Sequence, residues 1–225
     1  MKKFFASIAA VLLASVMTQA SAQAMFGNSS NDYRIGIQLG GNAPSFADSE
    51  FDKTIGWNFG ATALLNTENF IPNSYLRGSV LYTRLGASCD KPQLTKGVVG
   101  TNALFHLHYL QVPIHFGYAY DLGNDFCILA ETGPGFGMRV GNTLRIDNPV
   151  TLERTLVDID EYGIGDWKPY EDLRRFDVNW GLHAGFCYDQ KYQVMLGYDW
   201  GLCDIVPDVV GANRNLSLNL VVYFD

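Results

Sequence analysis

Charge is the scarcest property of this chain. Only 17% of its 225 residues are Asp, Glu, Lys or Arg, whereas a typical soluble domain carries about 25%. The formal net charge of −7 argues against a general nucleic-acid binder, because such proteins show a basic face. Proline is modest at 8 residues beside 23 glycines, which excludes collagen-like and low-complexity chains.

Long apolar runs are also missing, except at the start. Lys2 and Lys3 precede a 14-residue apolar stretch, and Ala-Ser-Ala closes it at residues 20–22. This pattern predicts a signal peptide over 1–22, cleaved between Ala22 and Gln23. The alternative, a membrane anchor, would need about 20 apolar residues. Residues 23–32 are then a periplasmic lead segment, and 33–225 form one domain.

Eight later segments alternate apolar and polar residues with a period of two, which is typical of β-strands. They are YRIGIQLG (33–40), WNFGATA (57–63), LRGSVLYT (76–83), YLQVPIHFGY (109–118), residues 126–140, DVNWGLHAGF (177–186), residues 192–202 and NLSLNLVVYF (215–224). None of the residues on their apolar faces is charged. The sequence therefore predicts a sheet with one wholly apolar side.

The composition of the two faces decides which one points inward. A soluble, lipocalin-like barrel would bury the apolar face and expose a polar face rich in Lys, Glu and Thr. Here the polar face instead holds eleven glycines against one on the apolar face, and small residues suit the crowded interior of an eight-stranded barrel. The apolar face begins or ends in Tyr, Trp or Phe, as the aromatic girdles of membrane barrels do. We therefore predict an all-β, eight-stranded antiparallel up-and-down transmembrane barrel with its apolar face in lipid.

The connections between segments support this interpretation. Long connections (41–56, 84–108, 141–176 and 203–214) alternate with shorter ones (64–75, 119–125 and 187–191). Short periplasmic turns and long extracellular loops are expected of such barrels. The loop over 141–176 is either a partner surface or a solvated loop. Pro113 lies inside the fourth segment and cannot donate to a ladder, which predicts a bulge or a local break there.

Four motifs resemble the PorT-like outer-membrane β-barrel family, common in Bacteroidetes. They are YLQVP (109–113), SVLYTRLGA (79–87), the E-x-G-P pattern at 131–134 and FDVNWGL (176–182). The resemblance implies a porin-like outer-membrane barrel of a Gram-negative bacterium, with one subgroup tied to protein secretion. One departure from the family is at the end of the sequence. Such barrels usually finish on an aromatic residue that the barrel-insertion machinery reads, whereas here Phe224 is followed by Asp225.

Charged and histidine side chains on the inward face form the first candidate site. They are Arg34, Arg77, Glu131, Arg139, Asp177, Asp199, His115 and His183. Charges inside a narrow barrel must pair, because an unpaired buried charge carries a large desolvation penalty. The set predicts a pairing network that plugs the lumen; the alternative is a path for protons or ions.

Four cysteines in an exported chain form a candidate disulfide framework. Cys127 and Cys187 fall at the periplasmic end of neighbouring strands, on the same inner face. Cys89 and Cys203 fall at the extracellular end. We expect Cys127–Cys187 and Cys89–Cys203, with four free thiols as the alternative.

Other chemistry is weakly represented. His106 and His108 share a strand face and could bind zinc, but two ligands do not complete a site, and a structural or interfacial pair is the favoured interpretation. Motifs of serine hydrolases, zinc proteases and phosphate-binding loops are missing, so we predict neither an enzyme nor a cofactor; a catalytic cluster at the rim is the remaining enzyme hypothesis.

The expected function is binding, scaffolding or envelope maintenance through extracellular loops. The alternative is a narrow pore or a secretion-associated component. The expected partners are outer-membrane lipid, the barrel-insertion machinery and an extracellular or periplasmic protein, with no nucleic acid.

Overall fold

The computed structural model describes residues 33–46, 52–67, 70–89, 102–147, 154–157, 174–206 and 210–224. The predicted signal peptide (1–22), its cleavage position and the lead segment (23–32) lie outside these ranges. Within the described part of the chain, no helix is long and apolar enough to cross a membrane.

Ten β-strands account for nearly all of the described residues. They are β1 (Tyr33–Phe46), β2 (Asp52–Lys53), β3 (Gly56–Asn66), β4 (Ser74–Cys89), β5 (Asn102–Gly123), β6 (Phe126–Asp147), β7 (Arg154–Val157), β8 (Phe176–Tyr188), β9 (Tyr192–Val206) and β10 (Val210–Phe224).

Eight of these strands form a closed antiparallel barrel. Around the wall the order is β1-β3-β4-β5-β6-β8-β9-β10. The barrel closes where β1 pairs with β10, from Ile35 opposite Phe224 to Phe46 opposite Asn213. The short strands lie outside the ring, β2 on β4 and β7 on β6. The predicted fold class is confirmed.

The apolar face points outward, as predicted. Leu196 and Leu218 are opposite one another on β9 and β10, and each is more than half exposed. Aromatic side chains gather near both margins of this face. The rings of Phe126 and Tyr188 are tilted against each other with centroids 4.8 Å apart at one margin, and the ring centroids of Tyr198 and Trp200 lie 4.9 Å apart toward the other.

The two ends of the barrel differ. One end, the turn end, carries the connections 67–73, 124–125 and 189–191 together with the start of β1 and the finish of β10. Asn124 and Asp125 have φ of 55° and 65°, as a two-residue hairpin turn matched to the strand twist requires. The connections predicted to be long lie between strand ends at the other end, the loop end. The prediction of a long connection over 203–214 is wrong, because β9 continues to Val206 and β10 begins at Val210.

Several strands run further toward the loop end than the alternation indicates. β4 continues to Cys89 and β5 already begins at Asn102, inside the predicted loop 84–108. β6 continues to Asp147, and β7 falls within the predicted loop 141–176. Apolar and polar residues alternate because one face of each strand contacts lipid and the other faces the lumen. Beyond the apolar band that contrast is lost, so the sequence pattern stops before the strands do.

Pro113 breaks its ladder locally without a bulge. β4 and β5 pair at Gly78–Ile114 and again at Leu81–Gln111, in the same register, with the two pairs between them missing. Proline has no N–H to donate to a ladder. The chain therefore tolerates the missing donor instead of shifting its register, which is one of the two outcomes expected.

The outward face yields a test of its environment. Leu196 lies midway between Tyr192 and Trp200 on β9, so it falls near the middle of the apolar band. Leu196→Arg should lower the free energy of unfolding in lipid vesicles by about 2–4 kcal/mol, measured by urea titration. Leu196→Ala is the matched control, since it removes apolar surface without adding charge. Equal stability of the two variants would contradict a lipid-facing position.

Candidate functional site in the barrel lumen

Glycine leaves room for large side chains inside the barrel. Gly117 on β5 is opposite Tyr75 on β4, and a Cβ at position 117 would overlap the Tyr75 ring. Tyr75 is fully buried. An eight-stranded barrel has an interior barely wide enough for side chains, and the Tyr75 ring fits there because the residue paired with it on the neighbouring strand has no side chain.

An apolar layer fills the lumen toward the turn end. Its members are buried side chains from seven strands: Leu64, Tyr75, Ala119, Cys127, Leu129, Cys187, Met195, Val221 and Tyr223. Leu129, Met195 and Tyr223 are each at most 1% exposed, so these side chains pack against each other across the barrel axis.

A charged layer adjoins the apolar layer, built from Tyr75, Arg77, His115, Glu131 and Gln193. Arg77 Nη2 lies 2.8 Å from Glu131 Oε1, and the Tyr75 hydroxyl donates to the same oxygen at 2.7 Å. His115 Nδ1 faces the other oxygen, Oε2, at 3.7 Å. Arg77 also donates to the side-chain carbonyl of Gln193.

The charged layer meets part of the condition that burial imposes on ions. The side chains of Arg77 and Glu131 are 5% and 0% exposed. A buried pair is stabilised when its geometry is good and additional hydrogen bonds occupy the remaining polar atoms. Tyr75 and Gln193 supply one such bond to each partner of the pair, whereas Arg77 Nε and Glu131 Oε2 have no hydrogen-bond partner.

A second polar group, the His–Asp cluster, lies beside the charged layer and consists of His115, His183 and Asp199. His183 Nε2 is 3.0 Å from Asp199 Oδ1, and Asn215 Nδ2 approaches the other carboxylate oxygen at 3.4 Å. The rings of His115 and His183 meet edge to face, with centroids 4.4 Å apart. His115 therefore belongs to both groups.

An amide layer and a small cavity occupy the lumen toward the loop end. Asn58 Nδ2 donates to Asn42 at 2.8 Å and to Asn219 at 2.9 Å, and Gln38 donates to Asn58 at 3.4 Å. These amides, with Arg77, His115 and the rest of the His–Asp cluster, line a cavity of about 40 Å³. A water molecule needs roughly 10–15 Å³ of such volume, so the cavity can hold a few waters.

The structure divides the predicted charge network among three places. Arg77, Glu131, His115, His183 and Asp199 come together in the middle of the lumen. Arg34 instead lies at the turn end, where it donates to the backbone and side-chain oxygens of Gln190 at 2.9 and 2.7 Å.

Arg139 and Asp177 lie toward the loop end, away from the charged layer. Arg139 is opposite Tyr109 on β5, and Asp177 is opposite Gly137 on β6. Position along each strand separates them from the centre, which residue type alone does not reveal.

The two predicted disulfides have different outcomes. Cys127 and Cys187 are directly opposite on β6 and β8 and form a disulfide, with 5.0 Å between their Cα atoms. Cys203 is a free thiol, so the predicted Cys89–Cys203 pairing is wrong. Cys89 ends β4 and Cys203 belongs to β9, on opposite walls of the ring, whereas a disulfide requires Cα atoms within about 7 Å.

His106 and His108 lie on β5, on the face opposite the buried Leu107 and Tyr109. The Tyr82 hydroxyl and His108 Nδ1 are 2.8 Å apart, and the two rings stack with centroids 5.7 Å apart. His106 contacts Arg84. These contacts are of the structural, interfacial kind rather than those of a metal site.

Tyr75, Gln193 and Met195 are lumen residues that the sequence reasoning missed. Tyr75 precedes the segment 76–83 by one residue and shares the face of Arg77. Gln193 and Met195 alternate with outward residues in the segment 192–202. Extending the alternation by one residue, and weighing long neutral side chains beside charged ones, would have found all three.

A family comparison decides what kind of barrel this is. The model of the family described as "outer membrane protein beta-barrel domain" matches residues 6–224. The chain belongs to this family. It is thus an outer-membrane β-barrel protein, and the closed ring with an apolar exterior is the structural form that this location demands.

Solved structures with a similar fold are small outer-membrane barrels. Neisserial surface protein A aligns at a TM-score of 0.45 and 15% identity, over 86% of this chain and 98% of its own. Ail of Yersinia pestis aligns at 0.39 and 11%, over 85% and 97%. The N-terminal barrel of Pseudomonas aeruginosa OprF aligns at 0.35 and 8%, over 84% and 97%. No curated protein matches the chain at the sequence level.

The charged layer of this outer-membrane barrel yields a test of its pairing. Arg77→Met leaves Glu131 as a buried charge without its guanidinium, and breaking a buried pair from one side costs about 3–5 kcal/mol. The double variant Arg77→Met with Glu131→Gln removes both charges and should recover most of that loss. Urea unfolding in lipid vesicles measures both. A double variant as unstable as the single one would contradict the pairing.

Proposed function

We propose that this chain is a closed, non-conducting outer-membrane barrel that acts at the cell surface, binding or scaffolding a partner through the segments at its loop end. The observation that carries the proposal is the filled lumen. The apolar layer and the charged layer lie one against the other across the barrel, and their largest side chains are fully buried. A solute pathway would require both layers to separate.

The extension of the wall at the loop end supports a surface role. β5 and β6 each have 22 residues, whereas a tilted membrane-spanning strand needs about 9–11. β2 and β7 add to β4 and β6 in this projecting region. A sheet that continues beyond the apolar band gives surface segments a rigid base.

The resemblance to PorT-like barrels supports a secretion-associated role as the alternative for the same architecture. The E-x-G-P motif places Glu131 in the charged layer, and YLQVP places Pro113 at the break in the β4–β5 ladder. In that alternative the partner is a periplasmic or extracellular protein of a secretion apparatus. Neither proposal includes catalysis.

Planar-bilayer recording tests closure of the lumen. The refolded barrel, with insertion verified by heat-modifiable gel mobility, should give no discrete conductance steps. A matched variant replaces residues 158–173 by a short Gly-Ser linker and should be equally silent, because the closure we propose resides in the two layers of the barrel. Discrete steps from the unaltered barrel would overturn the proposal in favour of a pore.

The same linker variant tests the surface role in cells. In a deletion strain of the source bacterium, we expect it to reach the outer membrane in normal amount but not to restore the resistance to detergent that we expect the intact protein to restore. Leu196→Ala is the matched control and should restore it. Full restoration by the linker variant would contradict a role for the 158–173 segment.

A further inference from the structure

Three potential metal ligands converge inside the barrel, and no part of the proposed surface role uses them. His115 belongs to β5, His183 to β8 and Asp199 to β9. One donor atom from each residue lies within 4.8 Å of the other two. The three strands are not all neighbours, so the ring of the barrel, not a local sequence motif, brings the donors together.

The three donor atoms converge over the bare backbone of Gly181. A Cβ at position 181 would lie 2.7 Å from Asp199 Oδ1 and 3.0 Å from Nε2 of both His115 and His183. Any side chain at this position would therefore intrude among the donor atoms, and glycine is the residue that leaves them free to approach one another.

His115 supplies an independent sign that the cluster binds something. Its side chain is 4% exposed, and its Nε2 atom is buried without any hydrogen-bond partner. A buried polar atom left without a partner costs about 1–3 kcal/mol. This nitrogen is one of the three donor atoms that converge over Gly181, so an ion bound among them would supply the missing partner.

Two of the three ligands have a polar neighbour beside the atom that would not bind the metal. Metal-binding histidines almost always have their second ring nitrogen oriented by a carboxylate, a carbonyl or water. The second nitrogen of His115, Nδ1, faces Glu131 at 3.7 Å, and Glu131 is itself fixed by Arg77 and Tyr75. The second oxygen of Asp199 is approached by Asn215 at 3.4 Å.

We propose that His115, His183 and Asp199 form a binding site for a divalent transition metal, with Zn²⁺ as the ion that fits best. Two imidazoles and one carboxylate leave one position of a tetrahedron for water, and the adjoining cavity has room for it. Mg²⁺ and Ca²⁺ prefer shells of oxygen ligands. This assignment is independent of whether the lumen conducts and of what the loop end binds.

Calorimetric titration of the refolded, tag-free barrel with ZnCl₂, after treatment with a chelator, tests the site. We expect one Zn²⁺ per barrel and no binding of Mg²⁺ or Ca²⁺ under the same conditions. Co²⁺ should occupy the same site and give the visible absorption bands of a four-coordinate ion, which Zn²⁺ then abolishes. A folded barrel that binds no Zn²⁺ at concentrations up to about 1 mM would overturn the proposal.

Substitutions locate the binding. His183→Ala and Asp199→Asn each remove a ligand and should weaken Zn²⁺ binding by more than the roughly 100-fold that loss of an orienting partner costs at most. Gly181→Ala keeps all three ligands but places a methyl group among their donor atoms, so it should also abolish binding. Its added carbon meets the ends of side chains instead of backbone, and heat-modifiable mobility should show that the variant still folds.

His108→Ala is the matched control. It removes an imidazole from the outer-face pair on the same strand and leaves the lumen unchanged, so Zn²⁺ affinity should stay within twofold. If His108→Ala abolishes binding while Gly181→Ala and His183→Ala retain it, the ion binds to the exterior histidines and the proposed lumen site is wrong.

Discussion

The absence of hydrogen-bonding partners in lipid is the constraint on which this structure depends. A strand can cross hydrocarbon only if every backbone N–H and C=O is paired within the protein, so the sheet must have no free edge. The pairing of β1 with β10 over twelve residue pairs meets that requirement. The alternation of faces follows from it, since each strand then separates lipid from lumen along its whole crossing. Even Pro113, which cannot donate, is accommodated by a break in one ladder and not by opening the ring.

Closure with eight strands makes the interior narrow, and the narrowness dictates its chemistry. Side chains crowd the interior, so a large residue on one strand needs a glycine beside it on the next strand, as Tyr75 needs Gly117. A charge placed there loses its water and must find its partner among the few residues within reach. Glu131 does so through Arg77, Tyr75 and His115, which come from two other strands. The charged layer therefore ties together parts of the wall that the backbone ladder pairs only with their immediate neighbours.

The sequence was sufficient to predict the strands of the barrel, but it was insufficient to predict which side chains meet inside the lumen. Period-two alternation identified all eight barrel strands, because lipid and lumen impose opposite demands on successive residues. It also placed Cys127 and Cys187 on one face at one end, where adjacent strands bring them together. It failed where the relation between residues runs across the barrel. Cys89 and Cys203 share an end but stand on opposite walls, and Arg139 and Asp177 share a face with Glu131 but lie at another height. Alternation predicts which face of the sheet a residue lies on. Its position along the barrel axis and around it depends on strand register and shear, which are defined only by the pairing of the strands.

The same reasoning explains why a metal site in a narrow lumen is not visible as a sequence motif. Metal motifs in helices and loops are visible because their ligands are close in the chain, as in paired histidines at fixed spacing. In a closed barrel the ligands of one site come from strands far apart in sequence, and the spacing between His115, His183 and Asp199 carries no signal. The structural indications of this site are instead a glycine beside the three donor atoms and a buried histidine nitrogen. Gly181 has no side chain at a position where a Cβ would lie within 3.0 Å of three donor atoms, and His115 keeps a buried nitrogen without a partner. A buried polar atom without a partner costs about 1–3 kcal/mol, and an ion bound by the two imidazoles and the carboxylate would remove that cost.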